Sequence, residues 1–545
     1  MKKRKFSLKL FLFFMISFLI IAFMHISFNA TIMSRQPSPN WSRSFAISSF
    51  SYTREIVADI TEEGDIIILS PVKDGKEILK VTKLGKNMQI KEEYEAIIDK
   101  LNINRISSDD ILLVGEKLYW RDNKDNILYT SILDNKNKKI SRVDRVQHNI
   151  IDFDVTEDNK YLAVAFLDGN VNLYEEVNGE YNDLGGPSDL GKVEMVNLKV
   201  NDNIVYLQTA TFNKNNSKKE VYITEYKNNK WNNSLYMTSM LELKNQIKDI
   251  DFAMDSDYVY SISSIQGDVK TSYAYIINGY NKESKELLDE LKTRWAMDLK
   301  IQDFSSKPVM FDSNKEGVTV FTTAPSSLDI RATNSNVIKL NLTKNGFNSA
   351  ELVSNTKKWS NQVTVLRNNN GDYVLWNEAG GFGSTIIMGT SNNNIVLKNN
   401  TEVTTEDIKQ SIEEEIPFLA NLLIVLVGAR FFSILPSIIW TLCMFFWYSK
   451  IEKRSNLYLF VGIIIYLLSQ LASMDFYYQK IHIMPEYLTT GVSKYVILLL
   501  FAVLATIFAN IYNKESDEPE IYKTYVMYLL YFHVMINYLF VPYLF

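Results

Sequence analysis

The stretch Ile150 to Tyr174, IIDFDVTEDNKYLAVAFLDGNVNLY, constrains this chain most, because it writes out nearly a whole unit of antiparallel sheet. Ile151, Phe153 and Val155 alternate with polar residues, the period of two expected when one face of a strand is buried. Glu157 to Lys160 is a polar turn, and Tyr161 to Phe166 is a short apolar run suited to a strand buried on both faces. Asp168-Gly169 offers the positive φ values of a tight hairpin, and Val171 and Leu173 resume the alternation until Asn178-Gly179 turns the chain again. A fourth short strand fits Glu180 to Leu184. Such a meander cannot bury its apolar faces alone, so it needs neighbours of its own kind.

The same order of alternating strand, polar turn, stronger strand and hairpin recurs through residues 44 to 404. The strong strand begins at Ile66, Leu118, Tyr161, Ile204, Tyr258, Val318 and Tyr373, each after a polar triplet such as Glu63-Gly64-Asp65 or Asp255-Ser256-Asp257. The intervals run from about 43 to about 60 residues, slightly looser than the usual spacing of propeller blades. Long helical patterns are nearly absent; Glu92 to Leu101 and Lys282 to Leu291 read as short helices or as decorations of a blade edge. The region is therefore expected to be an all-β repeat domain, and it resembles a seven-bladed β-propeller of the broad WD40 or quinoprotein-like kind. The resemblance is architectural: no Trp-Asp ending or Gly-His opening marks the units, so it implies no subfamily. Radial closure removes the edges that a row of meanders would expose. Six or eight blades, or tandem β-sandwiches, are the rival architectures.

Both ends of the chain are apolar. Lys2, Lys3, Arg4 and Lys5 precede an apolar run from Leu10 to Phe28, near the length that crosses a bilayer. The basic cluster keeps the amino terminus cytoplasmic and sends the middle of the chain outside. Residues 1–29 read as an anchor, with a signal peptide as the alternative; Phe28-Asn29-Ala30 is a poor cleavage site because Phe stands where a small residue is wanted. His25 reads as an interfacial residue without a visible partner. Residues 30–43, with Pro37 and Pro39, read as an extended linker.

Residues 405–416 read as an acidic helix with Ile408, Ile412 and Ile416 at four-residue spacing, and 417–545 as a four-helix transmembrane domain. The apolar stretch from Pro417 to Tyr448 is too long for one straight crossing, so it is expected to tilt, kink, or divide near Gly428. Lys450, Lys453 and Arg454 then fall inside. Leu457 to Met474 runs out, Val492 to Tyr512 in, and Thr524 to Phe545 out, which leaves the carboxyl terminus outside. The loop with Asp475, Lys480, His482 and Glu486 lies outside. Arg430, Asp475, His533 and Asn537 are the polar candidates of this block, since polar groups in hydrocarbon are costly and usually functional. Arg430 and Asp475 are expected to pair, and His533 and Asn537, four residues apart, share a helix face suited to helix–helix hydrogen bonding.

Chemistry in the middle region is thin. Of four histidines only His148 lies there, which argues against a histidine-based metal cluster or a Ser-His-Asp relay, and nothing points to a cofactor. Asp122 to Asn126 reads as a hairpin turn rather than a calcium loop, and Gly380-Gly381-Phe382-Gly383 as a blade loop rather than a phosphate cradle. Trp120, Trp231, Trp295, Trp359 and Trp376 suit blade packing, or a carbohydrate or peptide surface. A net charge of -5 offers no basic stripe for nucleic acid. The single cysteine, Cys443, lies in an apolar run, so an exported middle region holds together by its core, in keeping with a bacterial surface. The reading is a multi-pass membrane protein whose exported propeller binds, senses or assembles, with the bilayer and another membrane or envelope protein as partners. A surface enzyme acting on glycans or peptides and a receptor-like transporter subunit are the alternatives.

Overall fold

The structure is a computed structural model describing residues 8–34, 36–50, 56–71, 78–98, 101, 110–134, 138–140, 143–241, 246–266, 273–288, 304, 306–313, 315–325, 335–356, 359–379, 385–399, 403, 405–479, 481, 484–516 and 520–544. Its contacts divide it into two compact units: Arg35–Thr401, and Met1–Ser34 together with Glu402–Phe545.

The first unit is a seven-bladed β-propeller. Its described residues form seven antiparallel sheets, each built from consecutive strands except the last. Every strong strand read from the sequence is second in its sheet: Ile66–Pro71, Lys117–Asp122, Tyr161–Phe166, Ile204–Asn213, Tyr258–Gln266, Val318–Pro325 and Gly371–Ala379. The unit from Ile150 becomes Ile150–Val155, Tyr161–Phe166, Val171–Val177 and Glu180–Asp183, paired in that order. Leu162, Ala163, Val164 and Ala165 are all buried, as a strand sandwiched between neighbouring blades requires. Asn178 and Gly179 both take positive φ, 57° and 87°, the pattern of a type I′ hairpin. At the other turn only Gly169 does so, with φ 92°.

The ring closes through one pairing. Phe45–Phe50, the first strand in the chain, lies antiparallel to Thr385–Ser391, the last, with Phe45 opposite Gly389 and Phe50 opposite Thr385. It supplies the outermost strand of the seventh blade. At the centre, the innermost strand of that blade, Ser360–Asn368, touches the innermost strand of the first, Val57–Ile60.

The two segments read as short helices or blade-edge decorations are not helical in their described residues. Glu92 to Ile97 belongs to the outer strand Ile90–Ile97, where Tyr94 faces Val81 and Glu95 faces Lys80; cross-strand pairing overrides the helix-forming glutamates. Lys282 to Ser284 is a turn, shaped by the Asn281 side chain accepting from the amides of Glu283 and Ser284 at 3.0 and 2.9 Å, after which Leu287 bridges back to Tyr280. Residues 289–291 lie outside the described part.

Aspartates fasten blade to blade. Asp59, Asp154 and Asp251 hold one position in three units, each seven residues before the strong strand at Ile66, Tyr161 or Tyr258. Their carboxylates accept backbone amides of the next blade: Gly115 at 2.5 Å, Leu198 at 2.7 Å and Met310 at 2.7 Å. Asp152 likewise accepts from Val196 at 2.8 Å. Lys199 reaches the same region, 3.2 Å from Asp251 and donating to the Met310 carbonyl at 2.8 Å. Val196, Leu198 and Met310 lie in innermost strands, which have no partner on their channel side, and Gly115 in the turn after one, so these side chains occupy amides that would otherwise be left open.

Enclosure between blades has a titration consequence. Burial pushes Asp59 up to about 6 and Asp152 and Asp154 up to about 7, against which their amide hydrogen bonds work only partly. The folded propeller therefore keeps protons that the unfolded chain releases above its ordinary carboxylate value of 3.8. Unfolding stability should fall as pH rises from that value through about 7, then level off. In Asp152→Asn/Asp154→Asn, whose amide oxygens can still accept, thermal unfolding of the full chain should lose much of that slope; an unchanged slope would count against the assignment.

The second unit is helical: α1 Leu8–Met33, α2 Thr405–Ile424, α3 Phe431–Phe446, α4 Ser455–Ala472, α5 Ser493–Glu515 and α6 Ile521–Phe540. Contacts fix their directions. Lys9 bridges to Glu515 at 3.2 Å and Phe13 meets Phe508, so α1 and α5 are antiparallel. Tyr531 donates to Ser17 at 2.6 Å and His25 meets the Leu539 carbonyl at 3.1 Å, so α1 and α6 are parallel. Ser469 bonds Ser433 and Trp440 bonds Tyr458, which sets α3 against α4. Gly462 lets α4 approach closely: a Cβ there would lie 2.9 Å from both Trp440 and Tyr525. The run read from the sequence as an anchor is thus one helix of a bundle, not an isolated segment.

Candidate functional site

The four polar candidates all lie in the helical unit, and the structure draws three of them into one network. After α2 the helix widens into a π turn, Val425–Ala429, and bends by 55° before α3. Arg430 sits at that bend, 2% exposed. Its guanidinium donates to the Ser473 carbonyl at 2.7 Å and to Gln470 Oε1 at 2.7 Å, and lies 4.2 Å from the centre of the Tyr477 ring.

Asp475 does not pair with Arg430. It is exposed, and no ion pair joins the two among the described residues. The reason is that α4 ends first. Ser473 caps its carboxyl terminus, where carbonyls lack helical partners and the helix dipole is negative, so Arg430 finds both acceptor and compensating field there. The Tyr477 ring adds a cation–π contact.

Tyr477 carries the network onward, donating to Asn537 Oδ1 at 2.8 Å. Asn537 in turn donates to the His533 carbonyl one turn earlier at 2.6 Å. His533 Nδ1 and the Tyr466 hydroxyl are 3.0 Å apart. His533 and Asn537 therefore bond across helices, to α4 and to the turn after it. Gln470 also donates to Ser433 at 3.3 Å, and Ser433 to the Arg430 carbonyl at 2.7 Å. The network joins α3, α4 and α6 through side chains that are almost wholly buried.

A second cluster escapes the sequence reading. His25, expected at an interface without a partner, is 1% exposed, with Nδ1 3.1 Å from Glu415 Oε1. Tyr538 donates to the same Glu415 oxygen. Glu415 belongs to a helix whose composition reads as juxtamembrane, where an acid would face water. The overlooked signal is phase: Asp407, Ser411 and Glu415 recur every four residues on a stripe turned about 100° round the helix from Ile408, Ile412 and Ile416. In the structure the polar stripe is buried and Ile416 is 68% exposed.

The propeller's candidates take structural places. His148 is exposed in Asp144–His148, and Asp122 to Asn126 makes the hairpin between Lys117–Asp122 and Ile127–Asp134. Trp120 and Trp376 are buried core residues, Trp231 packs against Tyr226 at 5.0 Å, and Trp359 is 41% exposed. Trp295, Gly380-Gly381-Phe382-Gly383, Lys480 and His482 lie outside the described residues.

Arg430→Gln should lower the thermal stability of the full chain by about 3 kcal/mol, because buried charge-assisted hydrogen bonds are lost. Asp475→Asn should leave it within about 0.5 kcal/mol. Unfolding of both variants in one detergent distinguishes this arrangement from an Arg430–Asp475 pair, which would make the two equally damaging.

No family model matches the chain, and no curated protein does. Among solved structures, the polysaccharide lyase Uly1 is similar at TM-score 0.44 and 8% identity, covering 63% of this chain and 91% of that one. The β-propeller domain of the Trilobed protease from Pyrococcus furiosus gives TM-score 0.35 and 10% identity, over 62% of this chain and 94% of that one. Hydrazine synthase of Kuenenia stuttgartiensis gives 0.37 and 11%, over 61% and 94%.

Proposed function

We propose that this chain is a multi-pass membrane protein that carries its propeller outside the membrane as a binding or assembly module for a membrane or envelope complex. The observation that carries the membrane part is inverted burial. The helical unit hides Arg430, Gln470 and Asn537, and turns Phe432, Val427 and Phe446 outward at 79%, 75% and 75% exposure. Water would favour the reverse; hydrocarbon favours this order.

Among the described residues, four helices are long and apolar enough to cross a membrane, and the bent pair formed by α2 and α3 adds a fifth candidate. Their alternating directions are those of five successive crossings. With Lys9, Lys453 and Arg454 inside, residues 30–416 and the carboxyl terminus fall outside. The binding role is supported by a helical unit larger than a tether needs and cross-linked by side chains into a rigid block. Several of the propeller's enclosed carboxylates are already committed to holding blades together.

Alkaline phosphatase fused after the carboxyl terminus should be active and a fluorescent-protein fusion there dark; the opposite result removes the topology. In-cell crosslinking of the full chain should recover one membrane protein reproducibly, and replacing α3 to α6 by a single unrelated span should abolish that recovery. Hydrolysis of a surface glycan or peptide by the intact protein, lost on changing one propeller acid, would overturn the binding role in favour of an enzyme.

A further inference from the structure

His25 on α1 and Glu415 on α2 meet inside the helical unit, 1% and 7% exposed. Hydrogen-bond logic counts their protons. His25 Nε2 lies 3.1 Å from the Leu539 carbonyl, which can only accept, so Nε2 bears a hydrogen. Nδ1 lies 3.1 Å from Glu415 Oε1. A bare ring nitrogen and a bare carboxylate would repel there, so one proton stands between them, on the imidazole or on the carboxyl group.

Among the described residues, no other charged side chain contacts the imidazole. From α2 the imidazole faces Glu415 and the Phe418 ring at 6.4 Å; from α6 it faces Tyr538 at 5.2 Å and the Leu539 carbonyl; from the terminal turn it faces Tyr543 at 6.2 Å. Tyr538 donates to Glu415 Oε1, while Oε2 is buried without a hydrogen-bond partner. Glu415 contacts no lysine or arginine among the described residues. His25 is thus what compensates this carboxylate, and it comes from the far end of the sequence.

We propose that His25 and Glu415 hold one proton between them and so latch α1 into the bundle as a permanent, uncleaved member. Cleavage after Ala30 would remove Ser17, Phe18 and His25 from their partners and strand a buried acid. The phenyl ring of Phe18 stacks on Tyr538 at 4.1 Å, so the latch and the packing beside it act at one place. The latch is independent of what the propeller binds.

The test uses the full chain in detergent or nanodiscs. His25→Gln should lower the thermal midpoint by several degrees, because it leaves a buried carboxylate uncompensated. Adding Glu415→Gln should recover most of that loss, and Glu415→Gln alone should cost little. A double variant no more stable than His25→Gln would overturn the proposal. If His25→Gln fails to fold, folding of the double variant is itself the rescue. Nitrogen-15 NMR of labelled histidine gives a second measure. The His25 Nδ1 resonance should move when Glu415→Gln makes that nitrogen a plain acceptor, and an unmoved resonance would overturn the shared proton. Mass measurement of the purified protein should find residues 1–30 present; their loss would overturn the latch.

Discussion

A row of seven meanders has two open ends, and the pairing of Phe45–Phe50 with Thr385–Ser391 removes both at once. That single ladder converts a stack into a ring, brings Ser360–Asn368 against Val57–Ile60, and sets the two ends of the propeller chain side by side. Ser42 secures the junction: its amide donates to the Ser391 carbonyl at 2.9 Å, and its hydroxyl lies 2.9 Å from that of Thr390. Each blade still has an inner edge strand, and the interblade aspartates serve some of the amides there at the cost of burying carboxyl groups.

The helical unit meets the same demand for satisfied polar groups by other means. Arg430 is held by the free carbonyl end of a helix and an aromatic face, not by an acid. That arrangement avoids burying a second charge, whose desolvation would offset much of the attraction. Glu415 is compensated by an imidazole, which shares its proton without bringing a fixed charge. The first leaves one charge in the interior, met by carbonyl dipoles and a ring, and the second adds no unshared one.

What the sequence made legible was periodic. Seven strong strands, the hairpin at Asn178-Gly179 and the break near Gly428 all rest on local pattern and turn chemistry, which survive folding unchanged. What it hid was pairing between distant segments. Glu92 to Ile97 looks helical until Ile78–Leu84 lies beside it. Arg430 and Asp475 look like partners until the end of α4 is seen to offer a carbonyl first. His25 and Glu415 are separated by the whole propeller, so no window along the chain contains both. The recurring aspartate at Asp59, Asp154 and Asp251 was visible, but its meaning depends on an amide in the following blade.

That separation explains why the two units fit one chain. The helical unit needs α1 beside α2, yet several hundred residues intervene. Closing so long a loop costs only slightly more than closing a shorter one, since the entropy grows with the logarithm of length. A folded propeller lowers the cost further, because its own ends already adjoin at Ser42 and Ser391, leaving short connections to be ordered. The propeller is in this sense an insertion between the first two helices of the bundle, placed where adjoining termini make insertion tolerable. Ring closure in one unit thereby eases assembly of the other, and the side chains that hold α1 need supply only the remaining docking energy.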